Sequence, residues 1–425
     1  MKKRFSLFLC IISIIILIII LLHITSKSKY LKGNIIFIKD NYIEIMTENS
    51  SIYKLRYSNT IYKIGDYIKI KYNGNLNDLD ETQNISIKNI KIDNSKKESN
   101  IEQTINKMSL EEKIGQLLLA RIPVENKLDD LIKYNFCGYI LFQRDIKNKS
   151  KKDIIDEIDT YQQNSKIHLI IAIDEEGGTV SRLNCNDDIT VEKFLSPQEL
   201  YNKGGFTLIE KDAIRKRELL KELGINMNLA PVADVTTNSN AYMYNRSFGH
   251  DADLTSQYIK TIMGTQSDDV TYVLKHFPGY GNNIDTHSDI AIDYKTLDNF
   301  RSNDFKPFIT GINNSAKAIM VSHNIVLNID NKPATLSRNI HNILRNELNF
   351  NGLIITDDLS MNAIKKYNSQ TPYIDAIKAG NNILIVSDYQ NAYTEIYNGV
   401  KNELISEELI NLLIKRTLEF KYKNM

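Results

Sequence analysis

From about residue 101 the chain repeats one pattern, and that pattern limits the fold more than any other feature. A short apolar run is followed by an amphipathic stretch, again and again. The runs are Gln116–Ile122, Gly138–Phe142, Leu169–Asp174, Met227–Asp234, Val273–Pro278, Ala318–His323, Gly352–Asp358 and Asn382–Asp388. Between them lie helix-like segments such as Lys152–Gln163, Leu254–Gln266, Arg338–Leu348 and Pro372–Ala379. About eight strand–helix units over roughly 325 residues is the count for an α/β protein of the (β/α)8 TIM-like barrel type. A doubly wound open sheet is the other architecture with this alternation. It usually carries a Gly-rich phosphate turn after an early strand, and the chain has no GxGxxG.

Polar residues gather at the C-terminal ends of these runs. Asp174 ends Leu-Ile-Ile-Ala-Ile, and Asp234 ends Leu-Ala-Pro-Val-Ala. Lys275-His276 follow Tyr-Val-Leu, Ser322-His323 follow Ala-Ile-Met-Val, and Asp357-Asp358 follow Gly-Leu-Ile-Ile-Thr. A barrel places its active site on that face. One polar residue after a strand is an ordinary helix cap. Several at one rim point to a site. No HxH lies on an early strand, so a metal-dependent amidohydrolase is unsupported. Gly177-Gly178 and Gly279-Tyr280-Gly281 lack a Walker pattern. Carboxylates mixed with Lys, Arg and His suit sugar hydroxyls and glycosidic cleavage. That reaction needs a carboxylate to trap an oxocarbenium-like centre and a group to protonate the leaving oxygen.

The rest of the chain is organised differently. Lys2, Lys3 and Arg4 precede an apolar run from Phe5 to Leu22. That is long enough to cross a bilayer, and the basic flank places the remainder outside. No small-x-small cleavage site follows, so residues 1–30 read as an uncleaved signal anchor, with a secreted form as the alternative. Residues 31–93 read as a small all-β, OB-like barrel. Ile35–Ile38, Tyr42–Ile45, Tyr67–Tyr72, Ile85–Ile87 and Ile90–Ile92 carry its strand signals. A polar stretch over 94–100 reads as a linker, and 101–425 as the barrel domain. Lys+Arg is 53 against Asp+Glu 52, a net charge of +1, so nothing points to nucleic acid. Three cysteines without framework spacing support neither a disulfide scaffold nor a zinc site. No cofactor is called for.

Several motifs occur in a fixed order. They are Ile171-Ala-Ile-Asp-Glu-Glu-Gly-Gly-Thr-Val-Ser-Arg182, Gly224-Ile-Asn-Met-Asn-Leu-Ala-Pro-Val-Ala-Asp234, and Arg246-Ser-Phe-Gly249. They continue with Lys275-His-Phe-Pro-Gly-Tyr-Gly-Asn-Asn-Ile-Asp-Thr-His287, Pro333-Ala-Thr-Leu-Ser337 and Ile355-Thr-Asp-Asp-Leu-Ser-Met361. In these the chain resembles glycoside hydrolase family 3, in its β-N-acetylglucosaminidase branch, from about residue 108 to about 390. The resemblance implies Asp357 as nucleophile, with Asp358 supporting the turn, and His287 backed by Asp285 as acid/base. An imidazole with an ordinary pKa near 6.5 can both give and take a proton near neutrality. The neighbouring carboxylate fixes its tautomer.

The same resemblance implies that Asp174, Lys275 and His276 bind sugar hydroxyls. Arg182 and Arg246 would complete the polar shell, and Met361 would line the pocket. Two plainer readings stand beside these: Arg182 paired only with Glu175 or Glu176, and His276 as a satisfied core histidine. The chain departs from the family at Tyr280, where a His is usual, at Asn282, usually Asp, and at Thr179, often Arg. The loop before Asp285 looks one residue short. The implied activity is that of an outward-facing β-N-acetylhexosaminidase acting on peptidoglycan fragments, with the membrane as partner through the N-terminal segment. The rival functions are a phosphorylase and a non-catalytic wall-binding protein.

Overall fold

A computed structural model describes residues 29–39, 41–57, 61–77, 79–80, 82–93, 99–281, 283–286, 289–367 and 369–425. The anchor expected over residues 1–30 falls almost wholly outside them. Among the described residues no helix is long and apolar enough to cross a membrane. The chain divides into two compact units, one built from described residues of 1–48 and 53–97, the other from 49–52 and 98–425.

The smaller unit is a five-stranded sheet. Its strands are Lys29–Lys39, Tyr42–Met46, Ile52–Arg56, Tyr67–Asn73 and Ser86–Ile92. The long first strand pairs antiparallel with both Tyr42–Met46 and Tyr67–Asn73, and the last pairs with Tyr67–Asn73. Its interior is aliphatic with one tyrosine-rich edge: Ile35, Ile43, Ile45, Leu55, Ile68 and Ile70 are buried together. Two sequence expectations need correction. The alternating runs around Ile85 and Ile90 form one strand, and Ile52–Arg56 is a strand that the sequence reading did not single out.

The larger unit carries all eight expected barrel strands. In chain order they are Leu118–Arg121, Gly138–Leu141, Ile170–Ile173, Met227–Asn228, Thr271–Phe277, Ala318–Val321, Leu353–Thr356 and Leu384–Val386. Each sequence neighbour is a parallel spatial neighbour, and Leu384–Val386 returns to pair with Leu118–Arg121. A parallel bridge between Ile355 and Ile383 joins the two ends of the sheet. The interior is filled by Leu119, Ile140, Ile170, Ala172, Met227, Val273, Met320, Leu353, Ile355 and Ile385, so the barrel is a packed core and not a pore.

Local chemistry starts and stops the helices between strands. Ser150 caps Lys151–Gln163 through a reciprocal pair of bonds with Asp153. Ser196 does the same with Glu199 for Pro197–Glu222, where Pro197 occupies the first turn at no hydrogen-bond cost. Ser99 caps Asn100–Lys107 in the same way, through Glu102. The long helix Pro197–Glu222 is interrupted at Gly204 and Gly205, where the backbone leaves helical geometry.

Candidate active site

The barrel fold sets chemistry-bearing side chains on consecutive strand ends. The third strand stops at Ile173 and leads through Asp174 into a small hairpin, Glu175–Gly177 against Val180–Ser181. Gly177 makes this turn possible. Its φ is +96°, and a Cβ there would lie 2.2 Å from the Leu195 carbonyl oxygen. The hairpin aims Asp174 and Glu176 at Lys275, which is fully buried near the end of the fifth strand.

Lys275 Nζ sits 2.8 Å from Asp174 Oδ1 and 2.6 Å from Glu176 Oε1. Arg246 grips Glu176 with two bonds, Nη2 to Oε1 at 2.6 Å and Nε to Oε2 at 3.0 Å. Arg182 Nη2 reaches the second oxygen of Asp174 at 3.2 Å. Burial pushes the Asp174 carboxyl up, but Lys275 and Arg182 outweigh it and hold Asp174 well below the usual carboxylate range. Glu176 shows the same contest. Burial raises it, Arg246 and Lys275 lower it further, and it ends at about 2. Burial lowers the Lys275 ammonium, and Asp174 and Glu176 more than restore it. The set is therefore ionised across the neutral range, with its donors fixed in direction.

A second thread runs from His276. Its Nδ1 is 2.7 Å from Asp234 Oδ2, and its Nε2 lies 3.5 Å from Arg246 Nη2. Asp234 spends its other oxygen on the amide of Tyr280, at 2.7 Å. The Tyr280 hydroxyl in turn accepts the Thr286 amide at 2.7 Å and donates to Thr286 Oγ1 at 2.8 Å. Asp285 is the next residue back along the loop. Burial raises the Tyr242 phenol and the Asp285 charge adds to it, while the Tyr242 hydroxyl lies 3.5 Å from Arg246 Nη1.

Asp357 follows the seventh strand directly. Its amide donates to the Val321 carbonyl of the neighbouring strand at 3.1 Å, and its Oδ1 accepts the Asp358 amide at 2.8 Å. Burial is the main reason the Tyr280 phenol is held protonated, and the charges of both Asp357 and Asp285 add to it. The Asp285 loop is tied to the helix that follows the Asp357 turn, where the Ala363 amide donates to the Thr286 carbonyl at 3.1 Å. Asp358 points elsewhere. Its oxygens accept the amides of Ser360 at 2.9 Å and Ser387 at 3.2 Å, together with the Ser387 hydroxyl. His323 Nε2 is 3.0 Å from the Asp358 carbonyl oxygen and fixes the same turn.

The structure therefore brings together Asp174, Arg182, Arg246, Lys275 and His276 in one connected network, which Asp234 and Tyr280 extend to the Asp285–Thr286 loop, while Asp357 ends a strand on the same barrel rim. Met361 is buried in the turn after Asp357, its amide bonded to the Asp358 carbonyl at 3.0 Å. His287 lies outside the described residues. The plainer reading of Arg182, a pairing with Glu175 or Glu176 only, does not hold. The Arg182 side chain pairs with Asp174, and only its backbone amide reaches Glu175, at 2.9 Å. Glu176 serves Arg246 and Lys275 instead.

Glu176, Tyr242 and Thr286 were absent from the expected site, and Asp234 was placed at its rim without a role. Arg121, which closes the first barrel strand, was also missed. Its guanidinium carbon stacks 4.2 Å from the Phe142 ring centre, and Arg182 approaches the same ring at 5.2 Å. The end of an apolar run was the available signal for Arg121 and Asp234. Nothing local marks the partners of Glu176.

Buried, ionised, directed donors beside a rim carboxylate can orient a neutral polyhydroxyl ligand and stabilise charge at one of its carbons. Comparison with known proteins agrees with this chemistry. The glycosyl hydrolase family 3 N-terminal domain matches residues 109–420. A beta-hexosaminidase of Stenotrophomonas maltophilia strain K279a is 32% identical over 236 residues, covering 53% of this chain and 68% of that protein. Among solved structures, a family 3 β-N-acetylglucosaminidase from Paenibacillus sp. strain FPU-7 superposes with a TM-score of 0.67 at 27% identity, over 75% of this chain and 63% of that one. A fungal multi-domain family 3 β-N-acetylglucosaminidase gives 0.69 at 27% identity, over 75% of this chain and 40% of that one. The barrel and its rim define a glycoside hydrolase. The chain belongs to glycoside hydrolase family 3.

Proposed function

We propose that the chain is a retaining exo-β-N-acetylhexosaminidase that releases terminal GlcNAc from peptidoglycan fragments or related glycans. The observation that carries this reading is the joining of two parts at one rim. The Asp174–Lys275–Glu176–Arg246 network supplies oriented donors and acceptors for a terminal sugar, and Asp357 follows the seventh strand at the same C-terminal rim of the barrel. The names of the relatives, beta-hexosaminidase and β-N-acetylglucosaminidase, support the choice of sugar.

In this reading Asp174, Lys275, His276, Arg182 and Arg246 fix the terminal ring, and Met361 shapes the pocket floor. Asp357 attacks the anomeric carbon and forms a glycosyl ester, while the bond to the leaving oxygen breaks. His287, oriented by Asp285, gives a proton to that oxygen and then takes one from the incoming water. Attack by water on the same carbon restores Asp357 and gives net retention. An imidazole, with an ordinary pKa near 6.5, can give the proton as imidazolium and then take one from water as the neutral base near pH 7, where a carboxylic acid would need its pKa raised first.

Residues 1–30 are proposed to anchor the chain in the membrane with the barrel outside. The basic residues Lys2–Arg4 before the apolar run support that orientation. The five-stranded unit is proposed to be an OB-type spacer. The test of the activity is hydrolysis of 4-nitrophenyl β-GlcNAc and 4-nitrophenyl β-glucoside by the full chain. Turnover of the first is expected, and turnover of the glucoside alone would overturn the proposal. Run in phosphate buffer, the same assay gives free GlcNAc if the enzyme hydrolyses. A sugar 1-phosphate would make it a phosphorylase.

A further inference from the structure

Tyr280 occupies the place where the family usually carries a histidine, and the structure gives its hydroxyl a specific task. The side chain is 2% exposed and packs with Val232 and Met243. Its amide is fixed by Asp234, the same carboxylate that holds His276. Its ring stands edge-on to His276, with centroids 5.7 Å apart. One end of the residue therefore belongs to the rigid strand-end network. The other end reaches across to the loop.

There the hydroxyl makes two bonds to one residue, accepting the Thr286 amide and donating to the Thr286 hydroxyl. Thr286 is 1% exposed. On its far side the Thr286 carbonyl accepts the Ala363 amide at 3.1 Å, from the helix that begins just after the Asp357 turn. Thr286 is thus pinned between the Tyr280 phenol and the Asp357 side of the rim. It separates Asp285 from residue 287 in sequence. A loop of this kind has few buried apolar contacts of its own, so such anchors decide where it sits.

We infer that Tyr280 is a positioning residue that latches the Asp285–Thr286 segment and so aligns the acid/base for proton transfer. Phenol suits the task because it offers one donor and one acceptor together, and both are used here. Burial and the nearby carboxylates keep it protonated, so the latch holds across the working pH range. The inference rests on the acid/base reading of this loop.

The test is Tyr280→Phe in the full chain, which keeps the ring packing and deletes the hydroxyl. Turnover of 4-nitrophenyl β-GlcNAc is expected to fall about tenfold, the effect of losing two ordinary hydrogen bonds. The loss should be greater for methyl β-GlcNAc, whose leaving group needs a proton, than for the 2,4-dinitrophenyl glycoside, which does not. Azide, a nucleophile that needs no general base, should restore much of the turnover of the 2,4-dinitrophenyl substrate. Thr286→Ala, which removes the hydroxyl and keeps the amide bond, should lose less, and the double variant should be no slower than Tyr280→Phe.

A loss equal for all leaving groups and untouched by azide would reduce Tyr280 to a packing residue and overturn the inference. So would unchanged kinetics. Amide exchange at Thr286 separates this failure from failure of the activity itself. The amide should be protected in the parent chain and exchange faster in Tyr280→Phe. If the parent chain hydrolyses none of these glycosides, the functional reading falls, and exchange still decides whether the latch exists.

Discussion

Asp174, Glu176, Lys275 and Arg246 form a closed set of ion pairs at the strand ends, whereas the loop carrying Asp285 and Thr286 is held by hydroxyls and backbone amides. The first region is rooted in strands packed on the barrel core. The second is rooted in the Tyr280 phenol and the Ala363 amide. The contrast follows from what each region has to do. Groups that orient a substrate gain from fixed charges in a low-dielectric setting. A group that must give and then take a proton gains from partners whose own charge does not change. Asp234 belongs to both regions, since one of its oxygens holds His276 and the other holds Tyr280.

Substitutions can test this division, and the largest effect is expected where neither region can compensate. Asp357→Ala should lower turnover of 4-nitrophenyl β-GlcNAc by about 10⁴-fold or more. It should leave the thermal midpoint nearly unchanged, because the ion pairs of Asp174, Glu176, Lys275 and Arg246 all stay in place. Comparable activity in this variant would mean that the contrast does not concern catalysis at all.

Lys275→Met should break the first region. It removes the cation shared by Asp174 and Glu176 and leaves the buried Glu176 carboxylate and the part-exposed Asp174 facing each other. Breaking a buried pair from one side costs about 3–5 kcal/mol. Urea unfolding should register that loss, with KM rising in parallel. Tyr280→Phe, by comparison, should lower turnover while barely moving the urea midpoint. Equal stability losses in the two variants would erase the distinction.

Acid exposes the first region without a mutation. The Asp174 and Glu176 carboxyls are held below their unfolded values, the latter at about 2. Their stabilisation is therefore complete above the unfolded carboxylate pKa of about 4 and drains away as pH falls toward about 2. Urea midpoints measured from pH 5 down to pH 2.5 should fall more steeply for the parent than for Glu176→Gln. The smallest effect is expected at Tyr242→Phe. That hydroxyl lies 3.5 Å from Arg246 Nη1, and the Asp285 charge helps hold its proton, so it answers to both sides of the division. A fewfold loss in kcat/KM with little change in stability is expected, as for one exposed-edge hydrogen bond.

Much of this was visible in the sequence. All eight barrel strands were, because each is a short, nearly uninterrupted apolar run that the fold buries on both faces. Pro197–Glu222 was not singled out, since Gly204 and Gly205 break its pattern midway. Ile52–Arg56 starts with two consecutive buried residues, which spoils the period-two alternation that marks a half-exposed strand. Asp174, Lys275 and Asp357 could be placed because strand ends converge on one face. Glu176 could not be paired from sequence, because Arg246 lies 70 residues away and proximity in the chain favoured Arg182. Tyr280 showed in the sequence only as a departure from a family motif. Its use became apparent once the phenol was seen across from Thr286.

The central claim is that Asp357 becomes covalently joined to the sugar. His287→Ala incubated with 2,4-dinitrophenyl β-GlcNAc should accumulate that ester, because the activated leaving group departs unaided while water lacks its base. Rapid acid quench, proteolysis and mass spectrometry would locate it. The expected result is one N-acetylhexosamine on the peptide spanning Gly352–Lys365, with fragmentation assigning it to Asp357. Sugar on another carboxylate, or release of the chromophore in a burst with no labelled peptide, would contradict the mechanism.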